Sequence, residues 1–188
     1  MENARPSVMT ALFRNPDSAE RAYGALTRRG YGSDEVSLLM SEETHERHFR
    51  DKDVARADFE TKAAEGAGAG AVAGGGLGAL LAALAASGFA IPGMPMIAMG
   101  TLAAALTGAG TGGALGALIG GLIGYGIPEE HARLYDRGIR RGGIVMGVNP
   151  RSSEDARYFE REWANCEAEQ IYCPPFRGSD SASAMRAD

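Results

Sequence analysis

Cysteine is close to absent from this 188-residue chain. Cys166 and Cys173 are the only two, too few for a disulfide framework and without metal-ligand spacing, so a reducing compartment is the expected setting. Lysine is as scarce. Lys52 and Lys62 stand alone, and arginine supplies the rest of the 19 basic groups. Set against 24 acidic groups, they leave a net charge of −5, which gives no basic surface for nucleic acid. Residues 1–10 lack an apolar run of seven or more, so no secretory signal is expected. Charge is missing altogether from residues 66–127, although both flanks are rich in it.

What fills that neutral stretch is glycine at every fourth position. Gly66, Gly70, Gly74 and Gly78 form one run, and Gly108, Gly112, Gly116, Gly120 and Gly124 a second. Residues four apart stack on one helix face, so each run gives a stripe without side chains on which another backbone can lie. Each glycine costs a helix about 1 kcal/mol against alanine, so a run in register implies a compensating contact. At about 1.5 Å per residue, segments 66–90 and 97–124 are each long enough to cross a hydrocarbon layer about 30 Å thick. The intervening 91–96, IPGMPM, reads as a turn, which makes a helical hairpin. If it spans a bilayer, both flanks lie on one side, and Lys62, Arg133 and Arg137 make that side cytoplasmic. The competing reading buries the hairpin between copies of the same soluble chain.

The flanks carry the signals of a small α/β domain. Residues 8–13 are an apolar strand, followed by a helix capped at Asn15, opened by Pro16 and stopped at Gly30. Ala19, Ala22, Tyr23 and Leu26 give that helix its apolar stripe, and residues 35–40 alternate as a second strand. Residues 41–65 mix acids and bases and read as a solvated helical linker. On the other side, Pro128, Glu129 and Glu130 open a helix that runs to Arg141 and ends at Gly142 and Gly143. Residues 144–148 are a strand. Ser152 with Asp155 resembles a capping box, ahead of a helix with Ala156, Phe159, Trp163 and Cys166 on one stripe. Residues 170–173 form a last short strand. The expected fold is therefore α+β, a split-βαβ or ferredoxin-like sheet with a glycine-rich helical hairpin inserted. Its parts are 1–65, the first half with the charged linker; 66–127, the hairpin; 128–176, the second half; and 177–188, a disordered tail.

No catalytic constellation emerges. Gly108, Gly110 and Gly113 match G-x-G-x-x-G, but a helix-like run precedes them where a dinucleotide site needs a strand. His45 and His48, with Glu42, share a helix face as a weak metal candidate, yet spacing fixes no third and fourth ligand. Neither cysteine has a sequence neighbour that activates it. Tyr158, Phe159 and Trp163 read as core or interface. Arg133, Arg137, Arg140 and Arg141 are the candidates for contact with an anion or a lipid headgroup, with Tyr135 beside them. No enzyme activity and no cofactor are expected.

Taken in order, ALFRNPDSAERAYGALTRRGY, EVSLLMSEETHERHF, the glycine hairpin and GYGIPEEHARLYDRGIRRGGIVMGV resemble bacterial general-stress proteins of the heat-induced or low-temperature-induced, glycine-zipper type. The resemblance spans residues 7–173, and its most specific pieces are MSEETHERHF and GIPEEHARLYDRGIRRGG. It implies a stress-associated, membrane-associated protein without established enzymatic activity, and brings no site residues with it. The resulting expectation is a non-enzymatic homo-oligomer at a bacterial inner membrane, with lipid and further copies of itself as partners. The alternative is a soluble cytoplasmic homo-oligomeric scaffold or ligand-binding module.

Overall fold

The structure, a computed structural model, describes residues 8–48, 89–90, 96–100, 102 and 113–174. The elements are β1 (Met9–Phe13), α1 (Pro16–Arg28), β2 (Val36–Ser41), α2 (Glu42–His48), β3 (Phe89–Ala90), β4 (Met96–Met99), α3 (Gly113–Gly124), α4 (Glu129–Arg140), β5 (Ile144–Val148), α5 (Ser153–Asn165) and β6 (Glu169–Tyr172). One six-stranded sheet holds them in the order β3-β4-β2-β5-β1-β6. Every neighbouring pair is antiparallel. Because β1 and β2 both run against β5, they are parallel to each other with β5 between them.

Strands β1 and β5 are buried at all five positions, where a sheet with one wet face would alternate. Both faces are covered, and the two-residue period of a strand divides its side chains between them. Met9, Ala11 and Phe13 join Val36, Leu38, Met40, Ile144, Met146 and Val148 under α1 and α5. Leu12, Leu39 and Val145 point the other way, into a cluster with Ala98, Leu102, Leu118, Leu122, Ala132, Tyr135 and Ile139. The register Phe13↔Ile144 and Leu38↔Met146 keeps each set on its own face.

Helix boundaries follow the cap residues. Asn15 accepts the Ser18 N–H at 2.8 Å, and Pro16 follows at the first helical position. Ser152 accepts from Asp155 N–H at 3.0 Å, while the Asp155 carboxylate goes to Tyr31 and Arg29. Four helices end in one pattern, shown by paired bonds such as Gly142 N–H to Ile139 O and Gly143 N–H to Gly138 O. Its left-handed residue is Gly30 after α1, Gly126 after α3 and Gly142 after α4. After α5 it is Glu167, with φ of 60°.

The neutral segment departs from the expected hairpin of two long helices. Met96, expected to end the turn, and residues 97–99, expected to open the second helix, form β4, which pairs Met99 with Leu38 and Ile97 with Met40. Residues 89–90, expected to end the first helix, form β3 against β4. A straight helix over 97–124 would separate its ends by about 40 Å, whereas Ala98 and Leu122 share one cluster. The apolar β4 sequence pairs on the sheet, and that gain outweighs its helical pattern. Gly100 makes the turn possible. Its φ is +75°, and a Cβ there would stand 2.5 Å from Val36 O. Among the described residues no helix is long and apolar enough to cross a membrane. Helix α2 covers part of the expected linker; residues 49–65, 66–88, 103–112 and the expected tail 177–188 lie outside the described residues.

Candidate functional site

Two surface features stand apart from the packed core, and both lie on the α3/α4 side. The first is the outer edge of α3. Leu118 and Leu122 face the sheet and are fully buried. Gly116, Gly120 and Gly124 face away, and a Cβ added at any of them meets nothing within 4 Å among the described residues. Ile123 is 42% exposed beside them. The expected close helix partner of these glycines is therefore not among the described residues. Gly66, Gly70, Gly74, Gly78, Gly108 and Gly112 lie outside them.

The second feature is a cleft of about 430 Å³ where the end of α4 meets the ends of β1 and β6. Leu12 and Leu134 line its apolar part. Arg14, Arg137 and Arg141 line it together with one acidic residue, Glu169. Arg14 Nε donates to Glu169 Oε1. Neither Arg137 nor Arg141 takes part in an ion pair among the described residues, and both are exposed. They are four apart at the end of α4, so two like charges are held on one face.

Glycine brings the helix close to the strand here. A Cβ on Gly138 would collide with both Cδ atoms of Leu12, and one on Gly143 would stand 2.9 Å from Gly138 O. With no side chain at either position, the α4 end settles onto β1. Tyr135, one turn back, is buried and anchors the helix. Its hydroxyl donates to Gln170 O at 2.8 Å, so the 2.9 Å contact with Thr10 Oγ1 has the threonine as donor. That carbonyl belongs to an irregular stretch of β6, where pairing shifts between Thr10↔Tyr172 and Leu12↔Glu169 and Gln170 has φ of 52°. Burial, opposed by the Thr10 hydrogen bond, pushes the Tyr135 hydroxyl well above the ordinary phenol range, so it remains a donor at any physiological pH.

The four arginines expected to contact an anion divide into two pairs. Arg133 is engaged by Glu129 at 2.6 Å and Arg140 by Asp136 at 3.0 Å, each one helical turn away. Arg137 and Arg141 reach the cleft. Arg14 and Glu169 join them from strands distant in sequence, a juxtaposition that sequence reading missed. The signal was the polar residue at the end of each of two strands, which becomes legible only once β1 and β6 are known to be neighbours.

The remaining expected sites take other roles. His45 and His48 lie on α2, and among the described residues no three His, Cys, Asp or Glu side chains are grouped to hold a metal. Trp163 and Phe159 are fully buried core residues. Cys166 is buried, and burial, then the nearby Glu160 carboxylate, push the Cys173 thiol above its ordinary range, away from nucleophilic use. No family model, curated protein or solved structure matches this chain.

Proposed function

We propose that this protein is a non-enzymatic, stress-associated scaffold that self-associates through the outer edge of α3. Its sheet is read as ferredoxin-like. The order β2-β5-β1-β6, with α1 joining β1 to β2 and α5 joining β5 to β6, supports two interleaved βαβ units, extended at one edge by β4 and β3. The glycine-rich segment is then an insert between those halves, and part of it closes the second face of the sheet.

The observation that carries the assembly reading is α3 itself. Three glycines at four-residue spacing face away from the core beside the exposed Ile123. An isolated helix gains about 1 kcal/mol from alanine at each such position, so glycine there is favoured only where another backbone approaches closely. The homologous spacing of Gly66, Gly70, Gly74 and Gly78 supplies the same kind of stripe. The association with stress rests on the resemblance over Met40–Phe49 and Gly126–Gly143.

Light scattering on the full chain purified without detergent tests the proposal. A discrete oligomer that falls to monomer in the Gly116→Leu, Gly120→Leu double variant is the expected result. A wild-type monomer, or an oligomer of unchanged mass in the variant, overturns it. Recovery of the protein only after detergent extraction would instead assign the same face to lipid, with both flanks on the cytoplasmic side.

A further inference from the structure

We infer that the cleft at the end of α4 is a binding site for a phosphomonoester dianion, whether on a small soluble molecule or on a lipid headgroup. The inference stands on geometry independent of the self-association reading. Three arginines against one glutamate give the residues that line the cleft a net charge of two positive, which matches one phosphate dianion. Arg137 and Arg141 are held on one helix face without an acidic partner among the described residues, a like-charge arrangement that an anion between them relieves. Guanidinium groups present planar, paired donors suited to phosphate oxygens.

Two of the last carbonyls of α4 are occupied by the backbone that follows the helix. Gly138 O accepts from Arg141 N–H and Gly143 N–H, and Ile139 O from Gly142 N–H, all at 2.9 to 3.0 Å. Because backbone N–H groups cap these carbonyls, the side chains of Arg137 and Arg141 are not needed to cap them. The volume, about 430 Å³, falls within the range of small-molecule pockets, and Leu12 and Leu134 offer apolar contact to whatever carries the phosphate.

Glu169 acts as the internal counter-ion. Its pairing with Arg14 is at the surface, with the arginine side chain 76% exposed, so the bond is weak and exchangeable. An entering phosphate competes with Glu169 for Arg14. Two consequences separate a built site from a generally basic surface. Removing the Glu169 charge should tighten binding, and removing the paired arginines Arg133 and Arg140 should leave it unchanged.

Calorimetric titration of the full chain with inorganic phosphate and with glycerol 3-phosphate tests the soluble source, and flotation with phosphatidylcholine vesicles, plain or doped with phosphatidic acid, tests the lipid source. Saturable binding by either source is expected, weakening as salt rises. The Arg137→Ala, Arg141→Ala double variant should lose at least about tenfold in affinity. Glu169→Gln should gain affinity, and Arg133→Ala should bind like wild type. Binding of the two soluble probes alone identifies a soluble ligand; binding only to doped vesicles identifies a headgroup. Absence of saturable binding to every probe overturns the inference, as does equal loss in Arg133→Ala and the double variant. If the double variant fails to fold, the Glu169→Gln and Arg133→Ala pair decides, and no gain in the former rejects the site.

Discussion

The two faces of the sheet share their strands and differ in what covers them. Under α1 and α5, rings interlock: Phe13 meets Trp163 edge-on at 5.9 Å, and Tyr31 meets Phe159 at 5.0 Å. Around that core, Arg28 pairs with Glu162 and Arg29 with Glu154 and Asp155, tying the two helices along their margins. Under α3 and α4 the cover is mainly aliphatic, built on Leu118, Leu122, Ala132 and Ile139, with Tyr135 the one fully buried aromatic among its described residues. The first face is closed by large rings and outer charges. Among the described residues, the second is covered by smaller side chains, its helix α3 turns glycine away from the sheet, and the cleft opens at its edge.

Core truncation tests this contrast most strongly. Trp163→Ala should lower unfolding free energy by about 3–5 kcal/mol, and Leu122→Ala by about 2–3 kcal/mol, since the open side of α3 lets the site collapse. Urea denaturation of both variants checks the order; a larger loss at Leu122 would reverse the contrast. Glycine substitution comes next. Gly100→Ala must combine a left-handed backbone with a Cβ 2.5 Å from Val36 O, for a loss of about 3 kcal/mol. Gly116→Ala, whose added Cβ meets nothing among the described residues, should instead stabilise the monomer by about 0.5–1 kcal/mol. Thermal unfolding at low concentration distinguishes the two.

Smaller effects follow at the polar positions. Tyr135→Phe leaves Gln170 O without its donor and should cost about 1–2 kcal/mol, read by denaturant unfolding. Glu167→Gly removes the left-handed strain after α5 and should raise stability by about 0.5–1 kcal/mol despite losing the weak contacts to Ser18 and Arg21. A lower melting temperature in that variant would show that the contacts outweigh the strain. The smallest effect is a pH dependence. Arg151, bonded to Glu35 at 2.5 Å, holds that carboxyl below its ordinary 4.5, so its contribution is present above that value and disappears as acid protonates it. On acidification from about pH 5 to 3, wild type should therefore lose slightly more stability than Glu35→Gln. Equal losses would show that the pair is silent.

Much of the first face was legible because its signals are local. Asn15, Pro16 and Gly30 bracket α1, Ser152 opens α5, and Ala156, Phe159 and Trp163 recur at helical spacing. The sequence reading departs from the structure at two places, β3 and β4. Residues 96–99 are a four-residue apolar run between Pro95 and Gly100, too short for periodicity alone to separate a strand from a helix there. Pairing with β2 decided it, and that pairing spans nearly sixty residues of chain. The candidate cleft was half legible. Arg137 and Arg141 were singled out from their place near a helix end, whereas Arg14 and Glu169 are 155 positions apart and meet only through the β1–β6 pairing.

The sequence by itself determined the caps, the helix stops, the places of the flanking strands and the absence of charge from 66–127, because these depend on neighbours within a turn or two. Only the tertiary structure decided that both sheet faces are covered, that β4 joins the sheet, and which arginines are left without a carboxylate. Those outcomes depend on strand order and helix docking. Residues far apart in the chain are brought to one place there, and no local pattern carries that distance.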